Sequence, residues 1–139
     1  MRKFTAILLA IALACSVSTA SASEFSSIGL LQIFLNNHSP AEIEAMGTQY
    51  ADIDGTITDI YWCNYGNHYE MVVEADEPRA IHPLDSDNAR MIVHFRLHKE
   101  EVPFAIGDEV TVHGSLNELY SSVVIPSIDA TEINGSDDF

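Results

Sequence analysis

The sequence predicts a mainly β fold, a five-stranded barrel preceded by one or two short N-terminal helices. Three observations predict it. From Gln49 onward, apolar and polar residues alternate with a period of two, in runs separated by turn residues. Gly55 and Gly114 fall inside two of those runs, where a strand must bend or bulge for a small barrel to curl. Helical spacing and a capping signal occur only ahead of the first strand, and Glu100–Ile106 is too short for a long connecting helix.

The first residues have the composition of a targeting leader. Arg2 and Lys3 precede an apolar run from Phe4 to Cys15, and Ala20-Ser21-Ala22 supplies the small-x-small pattern of a signal-peptidase site. A core of about 12 residues is too short to cross a bilayer, which takes about 20 in a helix. The expected division is therefore a signal peptide at 1–22, a helical lead-in at 23–47, the barrel at 48–133 and a disordered tail at 134–139. Secretion or a periplasmic location follows. The alternative is a lipid on Cys15, although Ala12 stands where such a signal usually carries Leu.

Within the lead-in, Ile28, Leu31 and Leu35 lie at helical spacing. Ser39-Pro40-Ala41-Glu42 is a capping box with proline at the first helical position, and Gly47 is a natural stop. The first strand then places Ala51, Ile53, Gly55 and Ile57 on one face and Asp52, Asp54, Thr56 and Thr58 on the other. Cys63–Asn67 supplies a turn. The second strand, Tyr69–Ala75, turns Tyr69, Met71, Val73 and Ala75 inward. Asp76–Asn88, with two prolines, reads as a long loop. Arg90–Lys99 is the clearest alternation, with Met91, Val93, Phe95 and Leu97 inward and Ile92, His94, Arg96 and His98 outward. Val110, Val112 and Leu116 mark the fourth strand. Val124, Pro126, Ile128 and Ala130 share a face of the fifth, where Pro126, lacking a backbone donor, belongs at an edge or bulge.

Composition limits the partners. The 139-residue chain carries a formal charge of −15. Loss of Arg2 and Lys3 with the leader would leave four basic side chains against 21 acidic ones, a net −17. Such a surface repels phosphate backbones, whose sequence-independent binding depends on Lys and Arg. It favours cationic partners. Cys63 would be the single cysteine of the mature chain, so no internal disulfide is expected and stability must come from the core.

Gly107-Asp108-Glu109-Val110-Thr111-Val112-His113-Gly114, the closing Ile128–Ile133 strand and the lead-in helices resemble the small prokaryotic OB-fold proteins grouped as tRNA-anticodon-binding-like. The resemblance covers residues 39–133 and rests on turn, bend and core positions. It implies a five-stranded OB-fold barrel that binds on the face of strands two and three, between the loops joining strands one to two and four to five. Here those loops are Cys63–His68 and Asn117–Ser122. The implied ligand-binding residues are Trp62, Tyr65, His68, Glu70, His94, Arg96, His98 and Tyr120. The family name implies nucleic acid, from which the acidic composition departs.

Those aromatic and polar groups suit a protein, peptide or glycan partner, and equally suit stacking on a single-stranded base. The residues therefore predict a non-enzymatic binding module, read as a monomer, with single-stranded nucleic-acid binding and a carboxylate-based hydrolase as alternatives. A purely structural role is the competing account. Pairing Glu70 with Arg96 would set Val72 opposite His94 and His68 opposite His98, and such cross-strand pairs stabilise a sheet without a ligand. No cofactor or metal is expected. His94 and His98 would lie about 13 Å apart along one strand at about 3.3 Å per residue, too far to share an ion. Asp85-Ser86-Asp87-Asn88 opens like a calcium loop but lacks its later ligands. Nucleophile elbows and phosphate-binding glycine loops are not found.

Overall fold

The computed structural model describes residues 24–80 and 87–139. The leader expected at 1–22, with Cys15, and the start of the calcium-like stretch lie outside the described residues. A two-residue strand β1 (Glu24–Phe25) leads into helix α1 (Ile28–Asn37) and helix α2 (Pro40–Met46). The barrel follows as β2 (Tyr50–Cys63), β3 (His68–Pro78), β4 (Asn88–Phe95), β5 (Glu109–Leu116) and β6 (Ser127–Ile133). Among the described residues no helix is long and apolar enough to cross a membrane.

Both helices start where the sequence places capping side chains. Ser27 Oγ accepts from Leu30 N, and Ser39 and Glu42 close a reciprocal capping box. Helix α1 sends Ile28 and Leu31 into the core. Its buried Gln32 is satisfied at both ends, donating to the Val124 carbonyl at 2.8 Å and accepting from Ala80 N at 3.0 Å. That pair of bonds fastens the lead-in to the barrel, because a buried amide left unpaired costs about 1–3 kcal/mol.

The barrel closes through β2. Its first half, Tyr50–Thr56, runs antiparallel to β5, and its second half, Thr56–Cys63, runs antiparallel to β3. A bulge between Ile57 and Asp59 turns the strand from one neighbour to the other. The remaining pairings are β3 with β4, β5 with β6, and a parallel pairing of β4 with β6, so the circuit is β2-β3-β4-β6-β5 and back to β2. That strand order is the OB-type barrel. Two glycines let it close tightly. A Cβ on Gly55 would meet Val73 and the Glu74 backbone, and a Cβ on Gly114 would overlap the Asp129 carbonyl.

The inward parity holds for most positions. Ala51, Ile53, Ile57, Met71, Val73, Ala75, Met91, Val93, Phe95, Val110, Val112, Leu116 and Ile128 are all buried. Tyr69, Leu97, Val124 and Ala130 are only half-buried, and His94, expected to face outward, is buried beneath the β5–β6 link. Four expectations are corrected. Asp76–Pro78, expected to open a loop, continue β3, and Asn88 already belongs to β4. The β3–β4 register is shifted by two residues, so Glu70 faces His94, Val72 faces Ile92 and Glu74 faces Arg90, with an ion pair of 3.2 Å in the last. Strand β4 ends at Phe95, leaving Arg96–Lys99 outside the ladder. The tail is held: Phe139 is buried against Phe95 and Phe104, its carbonyl accepts from His98 N at 2.7 Å, and Asp138 pairs with Lys99. Pro126 sits just before β6, where its missing donor costs nothing and its carbonyl accepts from Ile92 N.

Candidate functional site

An open groove of about 630 Å³, the β3–β4 groove, runs between the β2–β3 turn and the β5–β6 link. It passes over His68 of β3, His94 of β4, Asp129–Thr131 of β6 and the tail residues Asp137 and Phe139. Of the eight residues expected to bind a ligand, it brings together five: His68, His94, Arg96, His98 and Tyr120. Trp62, Tyr65 and Glu70 do not line it. Trp62 lies beside the turn, edge-on to Tyr69 with ring centroids 5.0 Å apart, and its indole N–H donates to Asn64 Oδ1. Tyr65 projects from the turn fully exposed, and Glu70 sits behind the two histidines.

Each wall has a local cause. Asn117 organises the β5–β6 link. Its Oδ1 accepts from Tyr120 N at 3.1 Å, its amide donates to Asp129, and its backbone N–H donates to the Ser127 carbonyl. Ser121 Oγ accepts from Ser127 N at 2.8 Å. These bonds hold Tyr120, 58% exposed, with its ring 5.6 Å from that of His94. On the other side, Gly66 packs against the His68 ring so closely that a Cβ would overlap it.

The two-residue shift puts a polar cluster at the groove floor. His68 Nε2 is 2.7 Å from His94 Nδ1 and 3.2 Å from Glu70 Oε1, and His94 Nδ1 is 3.3 Å from that same oxygen. His94 Nε2 bonds Ser127 Oγ on the neighbouring β6. Tyr61 donates its hydroxyl to Glu70, and Cys63 lies within reach of both His68 and Glu70. Burial holds the His94 imidazole below its ordinary value; the nearby His68 acts the same way, and the Glu70 and Asp129 carboxylates only partly offset both. Burial pushes the Glu70 carboxyl up, but hydrogen bonds from Tyr61, His68 and Cys63 and the charge at His94 outweigh it, leaving Glu70 below its usual range. The Tyr61 phenol is pushed up to about 12 by desolvation first and then by Glu70, although 39% of the residue stays exposed.

Sequence reasoning missed Asn117, Ser127, Asp129 and Phe139 as parts of this site. Asn117 and Ser127 flank the link that was singled out, so an Asx-type turn at Asn117 was the available signal. Phe139, a lone apolar residue after five polar or small ones, gave none. His113, on β5, stacks on Tyr50 and pairs with Glu24 at 3.4 Å.

No family model matches the chain, and no curated protein matches it. Among solved structures, the chain is similar to the crystal structure of a lipoprotein with a proposed nucleic-acid-binding function from Klebsiella pneumoniae subsp. pneumoniae. The two are 20% identical with a TM-score of 0.48, over 77% of this chain and 87% of that one. At that similarity the OB-type topology rests on this chain's own strand pairing.

Proposed function

We propose that the chain is an exported, non-enzymatic binding module that takes a partner protein, peptide or glycan into the β3–β4 groove, a basic peptide being favoured. The observation that carries this reading is the groove itself, bounded by exposed Tyr120 and by Arg96, His98 and Asn117 at the position where OB-type barrels take ligands. An amphipathic ring beside polar side chains is the composition of a peptide or sugar site. The leader expected at 1–22 supports export. The charge of −15 supports a cationic partner and opposes a phosphate backbone.

Exposed Trp62, Tyr65 and Tyr120 would also stack on bases, so single-stranded nucleic acid is the second reading. One titration separates them. The protein is mixed with a lysine- and arginine-rich peptide, a muropeptide and a single-stranded oligonucleotide, with Trp62 fluorescence and calorimetry as readouts. Saturable binding of the peptide or muropeptide that is lost in Tyr120→Ala supports the proposal. Binding of the oligonucleotide alone, or of none of the three, overturns it.

A further inference from the structure

We propose that His68, Glu70 and His94, with Cys63 as fourth donor, form a site for one divalent transition-metal ion of the zinc class. The inference goes beyond the partner-binding reading and does not depend on it. Three donor atoms converge: His68 Nε2, His94 Nδ1 and Glu70 Oε1 form a triangle with edges of 2.7, 3.2 and 3.3 Å. Ligands about 2.0–2.1 Å from a tetrahedral ion stand about 3.3 Å from one another, so the two edges to Glu70 already have that spacing and the two rings need to part by about 0.6 Å to admit the ion. Cys63 stands beside this triangle: Cys63, His68 and Glu70 offer atoms within 4.8 Å of one another, a group that does not include His94, so Cys63 joins as fourth donor by closing on the ion.

Hydrogen bonds from His68 Nε2 account for its contacts with His94 and Glu70. With the His94 proton on Nε2, the 3.3 Å approach of His94 Nδ1 to Glu70 Oε1 sets two lone pairs against each other. A cation between the three atoms satisfies all of them at once. The support around the donors fits the same reading. With its proton on Nε2, given to Ser127 Oγ, His94 turns the Nδ1 lone pair to the cluster, which is how metal-bound imidazoles are commonly oriented. Gly66 leaves room for the His68 ring where any side chain would intrude. The donors are largely shielded, with side-chain exposures of 13%, 14% and 7% for His68, Glu70 and His94. Two imidazoles, one thiolate and one carboxylate suit zinc and its neighbours, whereas calcium and magnesium need a cage of oxygens. The ion would join β2, β3 and β4 at the groove floor.

The test uses the chain stripped with a chelator and returned to Zn(II) against a competing chromophoric chelator, with Co(II) as a spectroscopic substitute. The expected result is one ion per chain, tetrahedral Co(II) absorption with a thiolate charge-transfer band, and a higher melting temperature on loading. Cys63→Ser should lose that band, and His94→Gln and His68→Gln should each weaken affinity at least tenfold. His113→Gln, in the exposed Glu24–Asp52–His113 cluster, should change neither. Circular dichroism checks folding, and Gly66→Ala reports on the site should a histidine variant fail to fold. Uptake that is absent, or equal in wild type, His68→Gln and Gly66→Ala, overturns the assignment. Because no partner is present, this outcome is independent of whether the groove binds a peptide.

Discussion

His68 and His94 meet diagonally across β3 and β4, with Nε2 of one ring 2.7 Å from Nδ1 of the other. Gly66 keeps the first ring in place. Gly66→Ala should swing His68 aside without straining the barrel, since the obstructed group is the end of a rotatable side chain. The cost should be that of the lost His68 hydrogen bonds to His94 and Glu70, about 0.5–1.5 kcal/mol each, with none from backbone strain. Histidine ring 15N shifts should change at both residues, and unchanged shifts would show that the contact does not depend on Gly66.

Gly114→Ala should behave differently. Its Cβ would press on the Asp129 carbonyl and Ala130 Cα, which are backbone atoms and cannot rotate away. The loss should be about 1–3 kcal/mol, the range for overpacking, measured by urea denaturation.

Ser39→Ala should cost about 1 kcal/mol by removing the α2 cap. Glu42 adds a pH dependence. The Ser39 backbone N–H and hydroxyl hold its carboxyl below the ordinary range. A lowered folded-state value means stability present above the unfolded value and lost as pH falls through the folded one. The difference between wild type and Glu42→Ala should therefore be full near pH 7 and shrink below about pH 4.

Phe139→Ala should destabilise the fold by about 3 kcal/mol, because a buried ring packed on Phe95 and Phe104 is removed. Thermal or urea denaturation checks it. A change under about 0.5 kcal/mol would mean that the tail contributes little in solution.

The contrast between Met91 and Glu70 explains what could be read in advance. Met91, Val93 and Phe95 are inward because a period of two fixes the face of each residue, and their burial follows from that period alone. The partner of Glu70 does not. Sliding β4 by two positions keeps every side chain on its own face, so the hydrophobic pattern fits Arg96 or His94 opposite Glu70 equally well. The choice is fixed by the β3–β4 connection, whose pairing shifts between Glu74 and Pro78 without leaving an apolar signature. The His68–His94 cluster was hidden for that reason. Tyr120 was found because its turn residues could be read locally. Phe139 was missed because a single apolar residue has no period.

The most direct test of the central claim, that the β3–β4 groove is where this protein binds, is an amide chemical-shift titration of the 15N-labelled chain with the lysine- and arginine-rich peptide. The account predicts saturable shifts confined to Gly66–His68, His94–His98, Asn117–Tyr120, Asp129–Thr131 and Asp137–Phe139, and their loss in Tyr120→Ala, a variant whose exposed ring should cost at most about 0.5 kcal/mol of stability. Shifts scattered over the acidic surface, or shifts at the groove that survive Tyr120→Ala unchanged, would contradict it.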